Sequence, residues 1–171
     1  TWVPAAGEVV QLVELGTHAP LRAALGLDKE GEHSLSATLL EHLPPGILLI
    51  LDRLYGQAPM LAQLQAKCRV QDEQHFLVRV RMKLGVKILR LLEDGSAMVE
   101  VGLRDKAKPR KVLQTLSVRE VRGRVWKRSE KKWVDVRLWT SLGVGQAGAK
   151  ELIALYARRW EQEIFYRELK L

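Results

Sequence analysis

The sequence predicts an α/β fold: a mixed sheet flanked by helices, with a β-rich insertion ahead of the last helix. Three observations predict it. Ile47-Leu48-Leu49-Ile50-Leu51 is a short apolar run between Pro44-Pro45-Gly46 and Asp52, the pattern of a strand buried on both faces. Residues 87–139 lose the helical period and alternate β-like stretches with turns. Residues 148–171 then carry a single long helical period.

Taken in order, residues 8–15 are rich in β-branched and apolar side chains and predict a strand, with a turn at Gly16-Thr17-His18 and a returning strand over 19–25. Residues 30–43 predict a helix, with Leu35, Leu39, Leu40 and Leu43 at helical spacing, stopped by the two prolines. After the 47–51 strand come a helix over 57–67 and a strand over 76–81. Within the insertion, strands over 87–92 and 97–101 flank the turn signal Glu93-Asp94-Gly95-Ser96. Strands over 112–122, 124–127 and 133–140 follow, then the final helix. The organisation is therefore 1–86, first part of the core; 87–140, basic β-rich insertion; and 141–171, end of the core.

A chain of 171 residues with 47% hydrophobic content can bury a core. Its longest apolar run is far short of the roughly 20 residues a membrane span needs, and no basic region followed by an apolar stretch marks a leader. One cysteine, Cys68, excludes a disulfide framework. These features fit the cytoplasm and no membrane partner. The absence of an initiating Met and the stop at Leu171 inside a helical pattern suggest a fragment.

Charge is unevenly distributed. Residues 100–137 hold thirteen Lys or Arg against five Asp or Glu, which accounts for the whole net charge of +8. Such a local excess suits a polyanion-binding face, and equally a solvated Lys-rich β-ribbon. The four histidines His18, His33, His42 and His75 are scattered without metal-ligand spacing, so surface or turn roles are expected. Gly143, Gly145 and Gly148 lack the Lys-Ser or Lys-Thr of a phosphate loop.

Two places can carry chemistry. Asp52 stands at the carboxyl end of a buried strand, the edge of an α/β sheet where ligands collect. It either faces a crevice or merely caps the following loop. On the last helix, Tyr156, Arg159, Glu163 and Lys170 fall within a stripe roughly 60° wide, shared by Leu152, beside an apolar ridge of Ile153, Trp160, Ile164 and Leu171. Cations flanking an acid suit an anionic ligand such as phosphate. A salt-bridged helix flank would look the same.

The spacing Tyr156, two residues, Arg159, three residues, Glu163, six residues, Lys170 resembles the Tyr-Arg-Glu-Lys signature of a large group of DDE transposases of bacterial insertion sequences. Ile50-Leu51-Asp52-Arg53-Leu54-Tyr55-Gly56 is similar to that family's segment around its second catalytic aspartate, and Leu12 to His18 to its upstream hairpin. The resemblance implies a ribonuclease H-like fold in which two aspartates and a glutamate hold a pair of Mg²⁺ or Mn²⁺ ions, with Asp52 and Glu163 as catalytic metal ligands. Tyr156, Arg159, Lys170 and Arg53 would contact DNA. Hard oxygen ligands suit these ions, and a metal pair activates water or a 3′ hydroxyl while stabilising the leaving oxygen. The implied partners are the transposon's terminal inverted repeats and target DNA, bound by a homodimer in the bacterial nucleoid. A tryptophan of the insertion receives a flipped base in some relatives; for Trp126, Trp133 and Trp139, core packing of at least two is expected.

One departure bears on activity. The family's first aspartate ends a strand upstream of the hairpin, and no Asp precedes Asp28 here. The missing strand would be central, beside the 47–51 strand, and its absence would leave backbone groups unpaired. The isolated chain is accordingly expected to be poorly stable and catalytically dead. The rival functions are a non-catalytic DNA-binding relic of a mobile element and an unrelated basic nucleic-acid-binding module.

Overall fold

The computed structural model describes residues 8–14, 17, 19–26, 32–127 and 130–168, and the chain divides into two compact units, Thr1–Pro44 and Pro45–Leu171. In the first unit, β1 (Glu8–Val13) and β2 (Pro20–Gly26) pair antiparallel, with Val10 opposite Ala24. Helix α1 (Glu32–Leu40) packs on both strands. It stops short of the residue 43 that periodicity suggests, because Pro44 supplies no donor and disfavours helical backbone in the residue before it. The turn expected at Gly16 and His18 and the helix start expected at Glu30 lie outside the described residues.

The second unit is built on a six-stranded mixed sheet. Its strands are β3 (Leu48–Leu51), β4 (His75–Arg79), β5 (Lys87–Leu91), β6 (Ala97–Arg104), β7 (Val112–Lys127) and β8 (Lys132–Thr140), in the order β3-β4-β8-β7-β6-β5. Only β3 and β4 are parallel, with Leu51 opposite Val78. Helix α2 (Ala58–Lys67) provides the crossover between them and packs on β6 and β7, burying Met60, Leu61 and Leu64. Helix α3 (Ala149–Glu168) crosses the sheet, where Leu152 and Tyr156 join Leu77, Val121 and Leu138 in one apolar cluster. Each large apolar side chain so buried contributes about 1.5–3 kcal/mol. Strand alternation turns Phe76, Val78, Glu120 and Trp139 to the opposite face. There Glu120 and Arg137, both almost fully buried, form an ion pair at 2.8 Å, and the Trp139 indole donates to Glu120 at 3.0 Å.

Several expectations are corrected. The 47–51 strand is not buried on both faces: Leu49 is buried but Leu48, Ile50 and Leu51 are half-buried, because β3 has only one strand neighbour, β4, among the described residues. The 76–81 strand is observed as His75–Arg79, although the Val80 N–H still bonds the Arg137 carbonyl at 2.8 Å, the next position of the β4–β8 register. Strand β7 is continuous through Gly123, which periodicity treats as a break. The glycine leaves room for α3, for a Cβ there would meet Ile153 Cδ1 at 2.2 Å. His75 is a buried strand residue whose ring lies 3.2 Å from Ser141 Oγ and 3.3 Å from Gln146 Nε2, neither a surface nor a turn group. Of the three insertion tryptophans only Trp139 is in the core. Trp126 and Trp133 sit opposite each other near the exposed end of the β7–β8 pair and pack edge to face, ring centres 5.6 Å apart. Among the described residues, no helix is long and apolar enough to cross a membrane.

Gly56 closes the turn after β3 against the backbone of β4. A Cβ at this position would lie 2.1 Å from the Arg79 carbonyl oxygen and 2.8 Å from Val80 Cα, neither of which can rotate away. Gly56→Ala is therefore expected to lower stability by about 2 kcal/mol in urea unfolding. A change of under about 0.5 kcal/mol would contradict this packing.

Candidate functional site

The site forms where the parallel strand pair ends beneath α3. Asp52 follows directly on β3 and caps a short 3₁₀ turn over Arg53–Tyr55, its Oδ1 accepting from the Arg53 N–H at 2.5 Å. Its second oxygen, Oδ2, faces outward to Arg159 on α3, 3.6 Å away. Of the two roles the sequence left open, the loop cap is present, and the other carboxylate oxygen faces Arg159. The Asp52 side chain is 40% exposed and that of Arg159 20%, so the pair is reached by solvent. Solvent at this exposure screens the ion pair, which adds little to stability.

Tyr156, one turn earlier on α3, is fully buried. Its phenol pKa is pushed up to about 12, chiefly by burial, with the Asp52 carboxylate adding to the shift. The Arg159 charge opposes it, as does Arg79, whose charge and hydrogen bond both favour the phenolate. Arg79 ends β4, next to the strand that delivers Asp52. Two guanidinium groups, a phenol and a carboxylate therefore converge from three elements.

Sequence reasoning placed Asp52, Tyr156 and Arg159, and the structure brings them together. Arg53 is exposed on the turn beside Asp52. Glu163 lies on α3, one helical turn beyond Arg159, with its side chain outside the described part; Lys170 lies outside the described residues altogether. Arg79 was missed. The parallel register that sets Leu51 against Val78 places the next residues, Asp52 and Arg79, at the same strand ends. Pairing the two apolar runs in parallel would have exposed that relation.

Residues 87–140 divide their cations by role. Arg119 and Arg137 are buried in ion pairs with Asp94 and Glu120. Arg122, Arg124, Lys127 and Lys132 pair with acids of the same ribbon. The β6–β7 connection exposes Arg104, Lys106, Lys108, Arg110 and Lys111 around a single acid, Asp105.

A six-stranded mixed α/β sheet flanked by helices is the architecture of a DDE-type transposase domain with a ribonuclease H-like fold. The chain belongs to the Transposase DDE domain family, whose family model matches residues 9–171. It is similar to the transposase InsG for insertion sequence element IS4 of Escherichia coli (strain K12), with 28% identity over 163 residues. The matched region covers 95% of this chain and 36% of that relative's length.

The raised Tyr156 pKa gives a pH test. The folded state favours the neutral phenol, so this contribution to stability is complete below the ordinary value of 10.0 and is lost as pH rises through about 12. The difference in phenolate absorbance between the wild-type chain and Tyr156→Phe is expected to appear near pH 12. Ionisation near pH 10 would contradict the buried placement.

Proposed function

We propose that this chain carries two of the three catalytic carboxylates of an insertion-sequence transposase, Asp52 and Glu163, and the phosphate-binding cations around them. The observation that carries the proposal is Asp52 at the end of β3 facing Arg159 of the Tyr156-Arg159-Glu163-Lys170 stripe. The complete transposase would hydrolyse a phosphodiester at the transposon end, leaving a 3′ hydroxyl that then attacks target DNA. Arg159 and Arg79 would hold the phosphate, Tyr156 would fix Arg79 through its hydroxyl, and Arg53 and Lys170 would contact DNA on either side. The insertion, residues 87–140 between the core parts 1–86 and 141–171, would bind the DNA backbone through the exposed cations of residues 104–111. A homodimer would pair two transposon ends in the nucleoid.

The donor chemistry fits divalent metal in kind but not in number. Asp52 has a partly exposed carboxylate, the hard donor Mg²⁺ or Mn²⁺ prefers. Among the described residues no three His, Cys, Asp or Glu side chains gather. Asp52 and Glu163 would hold the metal together with an aspartate that has no counterpart before Asp28. When bound, the metal would neutralise the carboxylates and the phosphate and activate the attacking oxygen. A strand ending in that aspartate would also pair with the open edge of β3, whose half-buried Leu48, Ile50 and Leu51 suit a covered position. Without that strand the chain would bind DNA and not cut it.

In the complete transposase, Asp52→Asn and Glu163→Gln are each expected to reduce cleavage of a duplex bearing the transposon end at least about 10²-fold while leaving its affinity within about twofold. Unchanged cleavage in either variant refutes that residue as a metal ligand. Magnesium-dependent cleavage by residues 1–171 alone would refute the need for a further carboxylate. Replacing Lys106, Lys108 and Arg110 with Gln is expected to weaken binding of all duplexes alike. It should also reduce the slope of log affinity against log salt by about 3. An unchanged slope would move the DNA backbone elsewhere.

A further inference from the structure

The insertion does more than carry cations: its first hairpin grips the start of α3. Asp94 lies in the turn between β5 and β6, yet its Oδ2 accepts from the N–H of Ala149, the first residue of α3, at 2.8 Å. That N–H is one of the four donors a helix start leaves unsatisfied, and a carboxylate there also meets the positive end of the helix dipole. The same oxygen pairs with Arg119, whose side chain is 3% exposed. Arg119 uses the rest of its guanidinium on the loop leading into α3. Nη1 donates to the carbonyls of Leu142 and Ala147, each at 2.9 Å, and Nε donates to Ser96 Oγ at 3.0 Å. The turn, the loop and the helix start are thereby joined by one buried, directional network.

A buried ion pair stabilises no better than well-packed apolar side chains, so stability alone does not account for it. Fixed geometry does. Tyr156 and Arg159 lie seven and ten residues beyond Ala149, about 10 and 15 Å along the axis. Because the helix moves as a rigid rod, the position of its first turn sets theirs. A slip of one residue would rotate the stripe by roughly 100° and carry Arg159 away from Asp52. Against its partial burial, hydrogen bonds from Ser96 and Ala149 and the Arg119 charge hold the Asp94 carboxyl down to about 2, so it is ionised at neutral pH.

We propose that Asp94 and Arg119 are positioning residues: the insertion uses them to set the axial place and rotation of α3, and so the approach of Arg159 and Glu163 to Asp52. This rests on the transposase function proposed above. The test uses the complete transposase and a duplex bearing its transposon end, comparing single-turnover cleavage at saturating DNA with DNA affinity. Asp94→Asn keeps the shape and a neutral acceptor, and is expected to slow cleavage about threefold; Asp94→Ala is expected to slow it about tenfold, both with affinity within about twofold. Cleavage at the wild-type rate in either folded variant overturns the proposal, as does affinity falling in step with rate. Should Asp94→Ala not fold, Asp94→Asn decides alone by the same criteria. Glu163→Gln is measured alongside. If it cleaves normally, the catalytic assignment fails; if it is dead while the Asp94 variants are normal, only the positioning role fails.

Discussion

The site depends on the burial of the first two turns of α3 against β4, β8 and β7. Leu152 and Tyr156 fill the cluster with Leu77, Val121 and Leu138, while Gly123 leaves space for Ile153. This contact fixes which side of the helix faces the sheet, and with it the stripe that continues to Arg159. Without that docking, Asp52 would be a carboxylate capping a surface turn. With it, a residue from β3 and one 107 positions later in the sequence (159 − 52) come within 3.6 Å. Gly56 matters for the same reason, because it lets the Asp52 turn lie against the β4 backbone and keeps the strand ends level.

Electrostatics in this domain work at two depths. Deep in the sheet, Arg137 and Glu120 are consumed by each other and by neighbouring hydrogen bonds. At the turn between β5 and β6, Arg119 and Asp94 spend their charge on joining segments far apart in sequence. Net charge over residues 100–137 therefore overstates what a polyanion meets. The usable excess is concentrated at 104–111, where five cations surround one acid, and in the site itself, where Arg159 faces Asp52 and Arg79 bonds the Tyr156 hydroxyl.

Local patterns were legible where a single element sets them. An apolar run ending in an acid gave β3 and Asp52. The helical wheel put Leu152 and Tyr156 in a stripe beside an apolar ridge that includes Ile153, whereas the fold buries Leu152 and Tyr156 fully and leaves Ile153 half-buried. Features that depend on two elements meeting were not legible. Continuity of β7 through Gly123 needs Ile153 on the helix above it. Arg79 belongs to the site only through the parallel register of β3 and β4. Turn chemistry at 93–96 was recognisable, yet nothing local indicates that Asp94 reaches an N–H 55 residues away. The tryptophans divide for a similar reason: Trp139 lies where β8 is covered, whereas Trp126 and Trp133 lie near the far end of a long ribbon. That β3 has one strand neighbour among the described residues likewise cannot be read from its own residues, which are as apolar as those of an interior strand.

The most direct test of the account is where a paramagnetic ion binds. In the complete transposase with labelled isoleucine methyl groups, Mn²⁺ at one equivalent should broaden Ile50 on β3 and Ile153 on α3. Ile88, on the opposite edge strand β5, should stay sharp. The effect should disappear in Asp52→Asn. Broadening of Ile88 to the same extent, or an Ile50 signal untouched by Mn²⁺, would contradict a metal site shared by the end of β3 and the last helix.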